Sequence, residues 1–129
     1  MIVGQNVIME NRLLFKILDA TAWQAAIAGE LVQAPVDIAD GYVHFSTAFQ
    51  VQETLDKWFQ GEEEAVLIAF DANAFGDQLK WEVSRGNDKF PHVYGEVRAN
   101  QAIKVWYMDI GPSGAPQAPD DALKFELPE

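Results

Sequence analysis

Gly41-Tyr42-Val43-His44-Phe45-Ser46-Thr47-Ala48-Phe49-Gln50 is the stretch on which the fold turns. Its first half alternates in character. In an extended strand Val43 and Phe45 point one way, and Tyr42, His44 and Ser46 the other. Its second half, Thr47-Ala48-Phe49-Gln50, has the capping-box pattern of a helix start, so the strand hands the chain directly to a helix. Ala48, Val51, Leu55, Trp58 and Phe59 then form one apolar stripe, and Gly61 is the expected stop.

The same reading extends outward. Upstream, residues 13–18 (LLFKIL) read as a strand with Leu14, Lys16 and Leu18 on one face. A capping box at Thr21-Ala22-Trp23-Gln24 opens a helix that ends near Gly29, and residues 30–40 read as a loop. Downstream, residues 65–70 are continuously apolar, which predicts a central strand buried on both faces. Residues 79–83 alternate, with Leu79, Trp81 and Val83 opposite Lys80 and Glu82. A polar bend at Gly86-Asn87 follows, and Pro91 presses Phe90 toward extended geometry. Residues 95–98 and 102–110 read as two further strands. Strands and helices in this order lack βαβ alternation, so the expected class is α+β. The predicted organisation is an irregular leader over 1–11, one domain over 12–110, and a Pro/Gly-rich tail over 111–129.

With 129 residues, the chain suits one domain with one core. The 20 acidic residues against 9 basic give a net charge of −11, which argues against an extended nucleic-acid surface or an anionic membrane. A small ligand, even an anionic one, needs only a local pocket of donors. Cysteine is absent, so disulfides and a thiolate nucleophile are excluded. No stretch has the length of an apolar membrane span, and nothing resembles a secretion signal, so a cytoplasmic location is the default expectation.

The candidate site rests on the two histidines in the chain, His44 and His92. Imidazole exchanges protons near neutrality without help. His44 shares a strand face with Tyr42 and Ser46, just ahead of a helix start. His92 follows a proline that limits its backbone. Each can equally brace its own loop. Glu82 lies mid-strand, where a carboxylate is either solvent-facing or used, and Lys16 stands likewise in the first strand. The two could form a simple cross-strand ion pair. Ser46 and Thr47 can serve as helix caps, and Tyr42 and Tyr94 as packing or stacking residues. The histidines lack the ligand spacing of common zinc motifs, so no metal is expected. Gly-x-Ser-x-Gly and the common phosphate loops are also absent.

Gly41-Tyr42-Val43-His44-Phe45-Ser46 and Phe90-Pro91-His92-Val93-Tyr94-Gly95 together resemble the signature segments of the bacterial domain-of-unknown-function 952 family. Phe15-Lys16-Ile17, Trp23, Gln50 and Glu82 fit the same pattern, from Leu13 to Val105. The resemblance implies an ADP-ribosyltransferase-like fold, with small bent sheets around a cleft and two main helices. It also implies NAD or a related nucleotide as ligand, with His44, Glu82 and His92 as catalytic candidates. Lys16, Tyr42, Ser46, Thr47 and Tyr94 would line the cofactor site. Lys16 departs from the histidine that many members carry at that place. The alternative expectation is a non-catalytic module that binds a small molecule or a protein.

Overall fold

The computed structural model describes residues 12–84 and 86–127; the leader expected over 1–11 lies outside them. Two three-stranded antiparallel sheets carry the chain, as expected for an α+β protein. The first has the order β1 (Leu13–Asp19), β3 (Ala65–Asp71), β6 (Lys104–Met108). The apolar run 65–70 is indeed its central strand, buried throughout. Both faces of this sheet are covered, because apolar side chains leave each strand in both directions. Leu14 and Leu18 join Val66, Ile68 and Phe70 in one core. Phe15 and Ile17 join Leu67, Trp106 and Met108 in the other.

The second sheet has the order β2 (Val43–His44), β5 (Lys89–Val93), β4 (Leu79–Val83). Here the structure corrects the strand expected over 95–98. The strand is the preceding segment with Pro91 inside it, and 95–98 leads into a 3-10 turn at Ala99–Gln101. Pro91 was read only as a backbone restraint, because proline lacks the donor that a central strand needs. Its carbonyl still accepts from Phe45 N at 2.9 Å. The ladder between β2 and β5 stops there, and the chain crosses to the other sheet. Ser46 and Phe15 exchange both backbone hydrogen bonds, each 2.8 Å, which joins the sheets at one point.

Two eight-residue helices flank the sheets, α1 (Ala20–Ile27) and α3 (Val51–Trp58). The side chain capping α1 is Asp19, not Thr21; its carboxylate accepts from Ala22 N at 2.7 Å. A carboxylate at a helix N-terminus also meets the positive end of the helix dipole. The stretch expected as a loop contains a short helix, α2 (Pro35–Asp40). Pro35 occupies the first turn, where a missing N–H costs nothing, and Gly41 closes it at φ +87°. Those Pro, Asp and Gly residues are turn formers and helix-end formers alike, which explains the misreading.

Helix α3 starts at Val51, four residues after Thr47, with a turn over 47–50. One half of the expected capping box survives, since Gln50 Oε1 accepts from Thr47 N at 3.0 Å. The apolar stripe is shorter than expected. Val51 and Leu55 are fully buried, whereas Trp58 is 68% exposed. Leu55→Ala should therefore cost roughly 2–5 kcal/mol, and Trp58→Ala less than about 0.5 kcal/mol; urea unfolding of the two variants checks this contrast.

The Pro/Gly-rich stretch packs against the second core. Ala115, Ala118 and Ala122 are buried, and the Gln52 amide binds both Pro116 O and Ala118 N. Residues 123–127 add no strand. A short helix, α4 (Asp120–Leu123), precedes Phe125, which packs edge-on against Trp106 at 5.5 Å.

Candidate functional site

His44 and His92 are direct partners across the antiparallel pair β2–β5, with ring centroids 5.1 Å apart. The alternation of the two strands puts both rings on the face away from Val43 and Val93. Tyr42 covers the pair, its ring 4.6 Å from His44, 4.4 Å from His92 and 5.0 Å from Tyr94.

Behind His44 lies a residue that the sequence had shown only as part of a loop, Asp37. Its carboxylate is buried and accepts four hydrogen bonds. Oδ2 takes Ala34 N and Lys16 Nζ, each at 2.7 Å. Oδ1 takes His44 N at 3.0 Å and lies 2.7 Å from His44 Nδ1. That fills the acceptor capacity of a carboxylate. Burial pushes the Asp37 carboxyl upward, but the bonds from His44, Lys16 and Ala34 outweigh it and hold the group below its usual range. His44 Nε2 meets a second carboxylate, Asp40 Oδ2, at 3.1 Å.

Lys16 is only 3% exposed and pairs with Asp37, so the alternative of a cross-strand ion pair with Glu82 does not hold. Lys16 stands in the first sheet and Glu82 in the second. The ammonium reaches across to Asp37 and donates to His44 O at 2.9 Å. Burial pushes the Lys16 ammonium below its usual range, and the attraction of Asp37 opposes that shift. The lysine thus pins the His44 backbone between the sheets.

Glu82 belongs to the other histidine. It sits on β4 diagonally across from His92, on the same face. Its Oε1 is 2.7 Å from His92 Nδ1 and accepts from the Tyr94 hydroxyl at 2.8 Å; Oε2 accepts from the same hydroxyl at 3.1 Å. Those bonds, from His92 first and Tyr94 next, hold the Glu82 carboxyl below its usual range. The Glu82 carboxylate in turn pushes the Tyr94 phenol up. Burial, with the fields of Asp40 and Glu82, does the same to Tyr42.

Lys16, His44 and His92 border a cleft of about 460 Å³. One wall is β1 with Lys16, and the other carries His44, Ser46, Phe90 and His92. Thr54, Trp58 and Phe59 from α3 and its end close a side. Of the residues singled out in the sequence, Lys16, His44, Ser46 and His92 line the cleft. Glu82, Tyr42 and Tyr94 support the histidines from outside the lining, and Thr47 is not part of the lining. Asp37 and Asp40 are the residues that sequence reasoning missed. A Pro at position 35 with an acid two residues on is a helix-start signal, and it would have placed Asp37 in a first turn. No cluster of three or more His, Cys, Asp and Glu fit to hold a metal ion occurs among the described residues.

A family described as protein of unknown function, DUF952, matches residues 17–105. The chain belongs to that family. It is similar to the crystal structure of protein CC0527 from Caulobacter crescentus, with 39% identity and a TM-score of 0.82 over 88% of this chain and 99% of that one. The solution structure of the same protein aligns with 42% identity and a TM-score of 0.72, over 81% of this chain and 91% of that one. A comparison with curated proteins gives no match. Neither name states an activity, so the chemistry of this DUF952 member has to be argued from its own cleft. No helix among the described residues is long and apolar enough to cross a membrane.

Proposed function

We propose that the cleft between the two sheets binds a small organic ligand of nucleotide type, with NAD and ADP-ribose as the leading candidates. One observation carries the reading: the braced imidazole of His92 forms part of the wall of a cleft of about 460 Å³. That volume lies within the usual range for small-molecule sites, roughly 300–1,000 Å³. Trp58, Phe59 and Phe90 offer apolar surface for a flat ring, and Ser46, Ser84 and Thr54 offer hydroxyls. Two small sheets flanking a cleft are also what the resemblance to ADP-ribosyltransferases requires. In this reading His44 and His92 are the candidate catalytic pair. Glu82, whose carboxylate is engaged by His92 and Tyr94, acts through His92 and not directly on the ligand.

A non-catalytic binding module is the second reading. It is favoured by the two carboxylates on His44, which engage both of its ring nitrogens within the protein and turn neither toward a ligand.

Thermal shift separates the candidates, because a ligand that binds only the folded state stabilises it by about 2.7 kcal/mol at one hundred times its Kd. NAD or ADP-ribose should raise the Tm by several degrees. A panel in which only non-nucleotide compounds raise it would sink the nucleotide reading and leave the second.

A further inference from the structure

We propose that Glu82, which Tyr94 only orients, holds His92 in its Nδ1–H form, so that Nε2 stands as a bare acceptor for a hydroxyl or N–H group of the ligand. The inference rests on the small-molecule reading of the cleft and adds which ligand chemistry meets His92.

Tyr94 donates its hydroxyl to both carboxylate oxygens of Glu82, at 2.8 and 3.1 Å. With His92 and Tyr94 holding its carboxyl below the usual range, Glu82 is ionised at neutral pH and can only accept. The contact of 2.7 Å between His92 Nδ1 and Glu82 Oε1 therefore has Nδ1 as donor. A neutral imidazole carries one N–H, so Nε2 keeps its lone pair.

That lone pair has no hydrogen-bond partner among the described residues, yet His92 is only 3% exposed. Buried acceptors are seldom left unpaired, and one that is marks a place where something else binds. Two described donors that line the cleft are committed elsewhere. Lys16 Nζ serves Asp37 and His44 O, and both ring nitrogens of His44 face carboxylates. With no partner among the described residues, Nε2 is open to a donor from the cleft contents: water when the cleft is empty, ligand when it is filled. To the neutral ring a phosphate or carboxylate oxygen brings no proton and leaves Nε2 unpaired. A ribose hydroxyl, an amide or an amino group satisfies it.

Glu82 and Tyr94 are positioning residues in this scheme. They are surface groups, with the Glu82 side chain 41% exposed, so isosteric changes there leave the core untouched.

Nitrogen-15 NMR of the two imidazoles in the full chain tests the proposal, at about pH 8.5, well above the ordinary imidazole range. For His92, Nδ1 should resonate as protonated and Nε2 as unprotonated. Glu82→Gln should mix the tautomers, because a carboxamide can donate as well as accept, and Tyr94→Phe should keep Nδ1–H. A wild-type ring carrying its proton on Nε2 would overturn the proposal, as would a tautomer unmoved by Glu82→Gln. Saturating ADP-ribose should shift Nε2 toward the hydrogen-bonded range. Saturable binding that leaves Nε2 unmoved would contradict the ligand contact. Absence of any response to ADP-ribose would tell against the nucleotide reading instead, with the tautomer still decided by the ligand-free spectrum.

Discussion

Asp37→Ala should lower the unfolding free energy by roughly 3–5 kcal/mol, the usual result of removing one partner from a buried ion pair. The physical reason is what remains. Lys16 would keep a buried ammonium, 3% exposed, with only the His44 carbonyl to accept from it among the described residues. The donors on Ala34 N and His44 N would lose their acceptor as well. The pair itself is weak evidence for stability, since desolvation offsets much of its attraction. Asp37→Ala combined with Lys16→Met should therefore lose less than Asp37→Ala alone. Urea unfolding of the wild type, the two single variants and the double variant measures this. Equal losses in Asp37→Ala and the double variant would show that the ammonium is not the problem.

Acid should expose the same group. The folded-state pKa of Asp37 lies below its ordinary value of 3.8, so the folded protein binds fewer protons there than the unfolded chain. The resulting stability is fully present above about pH 4 and is lost as pH falls through the folded value. The acid limb of the stability profile should flatten in Asp37→Ala.

Phe45→Ala is the second large effect, at roughly 3–5 kcal/mol for a buried phenylalanine. Phe45 is 2% exposed and packs edge-on against Phe70 at 5.5 Å and beside Phe75 at 5.6 Å. It follows His44 directly, at the point where the chain leaves the second sheet. Its loss should loosen the junction as well as the core. Denaturant unfolding gives the energy, and hydrogen exchange at Ser46 N and Phe15 N reports the junction. A loss below about 1 kcal/mol would mean that the ring packs less tightly than its contacts imply.

Much of this was legible in the sequence for identifiable reasons. The run 65–70 has no polar residue, and only a doubly covered strand accommodates that. The alternation of residues 42–46 put His44 on the face opposite Val43 and Phe45, where it lies. Lys16 was assigned the correct face with Leu14 and Leu18, but that face was not known to be buried. A lysine in an apolar strand can be understood only once its counter-charge is found, and Asp37 lies 21 residues away by their numbers in a segment without helical periodicity. Pro91 hid β5 because a donorless residue argues against a central strand. The strand exists because its neighbour β2 ends at that residue. The link between Glu82 and His92 depends on β4–β5 register, which is fixed by the turn at Gly86 and Asn87, both at positive φ.

Calorimetric titration of ADP-ribose and NAD into the wild-type chain and His92→Ala tests the central claim, that this cleft is a nucleotide site with His92 on its wall. Saturable heat with at least one nucleotide, and affinity weakened about tenfold or more in His92→Ala, is the predicted result, since a buried ligand donor left unpaired costs roughly 1–3 kcal/mol. No heat with either nucleotide in the wild type, or equal affinity in wild type and His92→Ala, would contradict it.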